Sequence, residues 1–146
     1  MRDSLHSNVK YSTAFAPLSQ SDNTAMVSEI IDTRGFDSLE FIILAGIMAD
    51  ADVTHTILVE DGDDSGLSDN AAVIDDQLLG TEVLASFSFD DDGEIRKIGY
   101  IGAKRYVRMT ITPAGNTGAE VVAVLAAQSN ADFRPVTDQG QGGASS

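Results

Sequence analysis

The chain has 146 residues, no cysteine, 42% hydrophobic residues and a formal net charge of −14 at pH 7. A single domain of this length buries roughly 68–70% of its unfolded surface, so it can hold a core without staples, and disulfides and thiolate metal sites are excluded. The charge argues against nucleic acid as a partner, because phosphate attraction dominates such binding, and no apolar run approaches the roughly 20 residues of a membrane-spanning helix.

Residues 1–22 are polar and aperiodic, with scattered anchors at Tyr11, Phe15, Pro17 and Leu18. They read as an extended N-terminal arm. The opening MRDSLHSNVKYSTAFAP has no apolar h-region of a signal peptide, so synthesis and retention in a cytoplasm are expected.

A sandwich domain is expected over 23–135. Thr24 to Ile31 alternates as a first strand and ends at a turn, Asp32 to Gly35. Leu39 to Leu44 (LEFIIL) is apolar on both faces apart from Glu40, as in a central strand covered on both sides. Val53 to Glu60 alternates and is rich in β-branched residues. Asp61 to Asn70 is a loop by composition, and Ala71 to Leu79 fits a short helix or an edge strand. Val83 to Phe89 reads as a strand with Val83, Ala85, Phe87 and Phe89 on one face. Asp90 to Gly93 reads as a hairpin turn, with Gly93 in the left-handed position.

Ile95 to Pro113 contains two β-patterned runs joined at Gly102–Lys104. In the second, Val107, Met109 and Ile111 supply an apolar face. Pro113 to Gly118 is a turn. Glu120 to Ala127 (EVVAVLAA) is apolar on both faces, and its valines favour strand over helix. Residues 136–146, rich in Gly, Gln and Ser, read as a flexible tail. The expected fold is therefore all-β: an antiparallel, jelly-roll-like β-sandwich of about eight short strands.

Charge is segregated along the chain. Fourteen acids and no Lys or Arg lie between Asp50 and Glu94, whereas five of the nine basic residues (Arg96, Lys97, Lys104, Arg105 and Arg108) follow at once. Five cations on so acidic a chain cannot sustain a nucleic-acid groove. They pair either with the acidic stretch of their own chain or with that of a neighbouring subunit. The two strands apolar on both faces make the same point, since an apolar outer face needs cover, most simply from another subunit.

Catalytic and metal chemistry find little footing. Asp61, Asp63 and Ser65 before Gly66 imitate the start of a calcium loop, but Ala72 stands where a bidentate Glu should close it. Asp90, Asp91, Asp92 and Glu94 share one wet turn, unlike the separated carboxyls of an acid–base pair. His55 lies in line with Val53, Ile57 and Val59, toward a core or an interface, and no G-x-S-x-G supplies a nucleophile. No enzyme, metal or cofactor is expected.

With these residues laid out, the stretch GYIGAKRYVRMTITPAG, together with AFAP, DTRGFDSLEFII and ILVEDGDDSG, resembles the head-decoration (cement, capsid-stabilising) proteins of tailed bacteriophages. The resemblance spans about Tyr11 to Pro135. It implies a jelly-roll-like sandwich, often a homotrimer, on the capsid exterior, with the major capsid protein and copies of itself as partners. It carries over no catalytic or contact residue. From pattern, the interface candidates are Tyr11, Phe15 and Pro17 of the arm with Arg96, Lys97, Lys104, Arg105 and Arg108. A strongly acidic chain suits the outside of a shell filled with DNA, itself a polyanion. The alternatives are a carbohydrate-binding, lectin-like module and another phage part such as a tail or head-fibre subunit.

Overall fold

A computed structural model describes residues 4–133 and 136. Two antiparallel sheets pack face to face. The five-stranded sheet runs in the order β1 (Lys10–Gln20), β11 (Glu120–Ala131), β4 (Phe36–Met48), β9 (Ile95–Tyr100) and β7 (Leu78–Leu79). The other is built on β5 (Thr54–Gly62) and β10 (Tyr106–Ala114), flanked by the short β2 (Met26–Val27), β3 (Ile31–Asp32), β6 (Ala71–Ala72) and β8 (Phe87–Ser88). Helix is confined to single turns, including α1 (Leu5–Asn8) and α2 (Glu82–Ala85). Among the described residues no helix is long and apolar enough to cross a membrane. The expected antiparallel sandwich is what forms.

The core follows from period-2 alternation. Leu39, Phe41, Ile43 and Ala45 of β4 and Val122, Val124 and Ala126 of β11 point inward from one sheet. Ile57 and Val59 of β5 and Val107, Met109 and Ile111 of β10 meet them from the other.

Several expectations are corrected. Residues 10–20 are no arm. They form an edge strand along β11, and Ala14 is fully buried. Register shifts between Thr13 and Phe15 and between Phe15 and Leu18 break the alternation, which is why the sequence looks aperiodic. Pro17 is tolerated there because an edge strand need not donate outward. The 24–31 strand is interrupted. Ser28 N–H donates to the Met109 carbonyl and its hydroxyl accepts from Met109 N–H, while Glu29 N–H donates across to the Ala14 carbonyl.

The 83–89 strand is replaced by α2 and the short β8. Thr81 caps the turn by accepting from Leu84 N–H. Ser86 N–H closes it onto Glu82 and Val83. The alternation of Val83 with Ala85 is thus accidental, and Val83 is exposed.

The hairpin expected at Asp90–Gly93 does not form. Asp90–Gly93 carries the chain from β8 in one sheet to β9 in the other, although Gly93 has the expected positive φ of 74°. Gly102–Lys104 likewise crosses from β9 to β10. Of the expected tail 136–146, all but Val136 lies outside the described residues; Val136 is buried and donates its N–H to the Ser7 carbonyl.

Candidate interaction surface

The outward positions of the five-stranded sheet form continuous rows. Thr13, Leu125, Ile42 and Lys97 face one another across β1, β11, β4 and β9. The next row is Ala123, Leu44 and Ile95. On the other side lie Tyr11, Ala127 and Glu40. Leu44 is 50% exposed and Ile95 65%, so their second apolar face has no cover within the described residues. A groove of about 250 Å³ runs over Ala123, between Phe15 and Pro17 on one side and Leu44 and Ile95 on the other. At the end of β4 the backbones close up: a Cβ on Gly46 would lie 2.6 Å from the Val121 carbonyl oxygen.

The cations sit elsewhere in the charge balance. Arg96 pairs with Asp91 and Glu94, Lys104 with Asp63, Arg105 with Asp32 and Arg108 with Glu60, at 2.5–3.1 Å. Lys97 lies 3.9 Å from Glu40. All five therefore have acidic partners in their own chain. They are divided between the two sheets, with Arg96 and Lys97 on β9, Arg108 on β10, and Lys104 and Arg105 in the crossing loop. Phe15 and Pro17 line the groove together, whereas Tyr11 lies further along β1 in a separate hollow beside Leu125. Arg105 bonds both oxygens of Asp32, which holds that carboxyl below the ordinary range.

The calcium-like loop has other work. Asp61 ends β5, turned inward, and accepts from the Tyr100 hydroxyl at 2.7 Å. Asp63 holds Lys104, and Ser65 is exposed. Asp69 accepts from Asp63 and Asp64 N–H, and Asp64 from Gly66 and Ser68 N–H, so the loop is tied by its own carboxylates. These bonds lower the Asp64 and Asp69 pKa values. Among the described residues no three metal-ligating acids, histidines or cysteines converge.

Two buried polar contacts escape the sequence. His55 Nε2 lies 2.7 Å from Glu120 Oε2, both side chains fully buried, joining β5 of one sheet to β11 of the other. Phe87 stacks on the imidazole at 4.2 Å. His55 faces the core as its alternation predicts, but Glu120 looks like the polar start of a strand; nothing in the spacing pairs them. Tyr100 is similar. Its hydroxyl donates to Asp61 and accepts from Lys104 N–H at 3.0 Å. Burial, then the adjacent Asp61 carboxylate, raises its pKa.

Fold and surface together define a β-sandwich with one apolar outer face. No protein-family model and no curated protein matches the chain. Among solved structures it is similar to the PBSX exported protein XepA, with a TM-score of 0.57 and 14% identity over 92% of this chain and 41% of that one. The chain thus spans less than half the length of XepA. Weaker likenesses join it to the xylohexaose-complexed CBM22-1–GH10 modules of Clostridium thermocellum xylanase 10B (TM-score 0.41, 15% identity, 73% of this chain and 19% of that) and to the Gx strain of infectious bursal disease virus (TM-score 0.47, 14% identity, 87% and 33%). The XepA likeness shows the fold; the other two are too distant to carry an argument.

Proposed function

We propose that this chain is a structural component of a phage particle that works by adhesion, binding the outer surface of the capsid and stabilising it by bridging neighbouring capsid subunits. The observation that carries the reading is the apolar outer face of the five-stranded sheet. Such a patch, rimmed by polar residues, marks a protein contact. The resemblance to head-decoration proteins supplies the particle, and the sandwich shared with PBSX exported protein XepA agrees with the fold that resemblance implies. The net charge of −14 favours the outside of a DNA-filled shell. A protein that binds only the assembled shell raises shell stability by mass action.

The test is co-sedimentation of the purified chain with DNA-filled heads, beside sugar resins as control. Binding to heads, with heads becoming more resistant to heat, is expected. Retention on the resins with no affinity for heads would replace this reading by the carbohydrate-binding one.

A further inference from the structure

We propose that the apolar face of the five-stranded sheet is a twofold contact between two copies of this chain. The inference rests on the adhesive reading above and gives the same surface a second copy as its occupant while the chain is off the shell, a cover the shell displaces.

Charge argues first. The chain carries −14, so most approaches between copies bring acid against acid. The rows of the apolar face hold one acid and one base, Glu40 and Lys97, on adjacent strands. The face is therefore neutral and sets no acid against acid at the contact itself, although the two chains still repel at longer range. It is also self-complementary. In a twofold contact residue i meets j while j meets i, so Glu40 of each copy can face Lys97 of the other.

Shape points the same way. The face holds ridges at Leu44, Ile95 and Leu125 and a groove floored by Ala123. A second copy supplies ridges of matching pitch and a sheet of the same twist, and sheets pack face to face at about 10 Å. Four strands about 4.8 Å apart, with outward residues over about 20 Å of strand, give a footprint of roughly 300 Å². With side-chain relief, two such faces bury on the order of 1,000 Å², the lower bound of a specific interface. The contact is accordingly weak and reversible, and a flat face meeting itself closes at two copies.

Sedimentation velocity of the full chain across micromolar concentrations tests this, in 0.05 M and 0.5 M salt. A monomer–dimer equilibrium is expected that tightens with salt, since screening relieves repulsion between acidic chains while an apolar contact is unaffected. Leu44→Asp should weaken it by at least about tenfold, and Thr112→Asp on the opposite sheet should leave it unchanged. Glu40→Lys or Lys97→Glu alone should weaken it, and the double exchange should restore it. That rescue separates an interface from a folding defect.

A monomer at every concentration, a dimer indifferent to Leu44→Asp and to the charge exchange, or a species of three or more copies would overturn the proposal. The capsid reading fails separately. A monomer that Leu44→Asp releases from heads keeps that reading and sinks the dimer. A dimer dissolved by Leu44→Asp in a chain that ignores heads does the reverse.

Discussion

On the six-stranded sheet the outward positions of the two long strands are Thr54, Thr56, Leu58 and Glu60 on β5, facing Ala114, Thr112, Thr110 and Arg108 on β10. On the five-stranded sheet the comparable positions are Ile42 and Leu44 on β4, facing Leu125 and Ala123 on β11. Inward, both sheets give the same aliphatic core. Outward, one carries threonines and a cross-strand Arg108–Glu60 pair at 3.1 Å, and the other carries aliphatic side chains, with Leu44 half-exposed. On the proposed adhesive reading, stability and adhesion are therefore separate assignments in this sandwich. Inward side chains set the fold, and the outward rows of one sheet are free to set the partner.

The largest test strikes what joins the two sheets. Glu120→Ala leaves the buried His55 without its hydrogen-bond partner and opens a cavity between the sheets, and should cost about 2–5 kcal/mol, measured by urea unfolding. Replacing both by leucine should cost markedly less. If Glu120→Ala is neutral, the pair does not connect the sheets energetically.

Next is Tyr100→Phe, which leaves Asp61 and Lys104 N–H without their phenolic partner, at about 1–3 kcal/mol. It has a pH signature. Because the Tyr100 pKa is raised on folding, the folded state keeps the proton longer than the unfolded chain does. The stability it contributes is whole below the ordinary tyrosine value of about 10 and is lost as pH rises beyond it. Unfolding of the wild type should therefore weaken above about pH 10, and this slope should be shallower in Tyr100→Phe.

Exchanging the two finishes is a smaller perturbation of stability. Leu44→Thr with Leu125→Thr should shift monomer stability by about 1 kcal/mol or less while lowering binding of an apolar dye. Thr56→Leu with Thr112→Leu should raise dye binding on the opposite sheet. Equal dye binding by all three proteins would erase the contrast between the faces.

The smallest effect belongs to the surface ion pairs. Asp32 is half-exposed, so solvent screens its pairing with Arg105 and leaves it little weight in stability. Its carboxyl pKa is lowered on folding. That stability is present above the ordinary carboxylate value of about 3.9 and is lost as pH falls through the folded value. Asp32→Asn should remove this part of the acid slope in a pH series of thermal melts. A larger loss would mean that Arg105 positions the crossing loop.

Much of this was legible in the chain. The alternation of Val107, Met109 and Ile111 marked β10, and the double-faced apolar runs marked β4 and β11 as strands; that the two lie side by side came only with the fold. The exposed second face of those runs was legible too, because outward Ile42, Leu44, Ala123 and Leu125 break the polar alternation of a wetted strand. The edge strand at 10–20 was hidden by its bulges, and α2 by an alternation that mimics a strand. The cations Arg96 to Arg108 look clustered in sequence, but the crossing at Gly102–Lys104 divides them between sheets and their pairing with Asp32, Glu60, Asp63 and Asp91 needs partners up to 73 positions away.

Reading the chain alone shows what each short segment wants: which residues turn from water, where the chain turns, and that no cysteine holds it together. Those are local properties, written in period-2 patterning and turn chemistry. Folding adds which sheet each strand joins, that Glu120 meets His55, and that the apolar positions of β11, β4 and β9 align into one surface. Register and sheet membership are fixed by contacts between distant segments, where a shift of one residue turns every side chain to the other face.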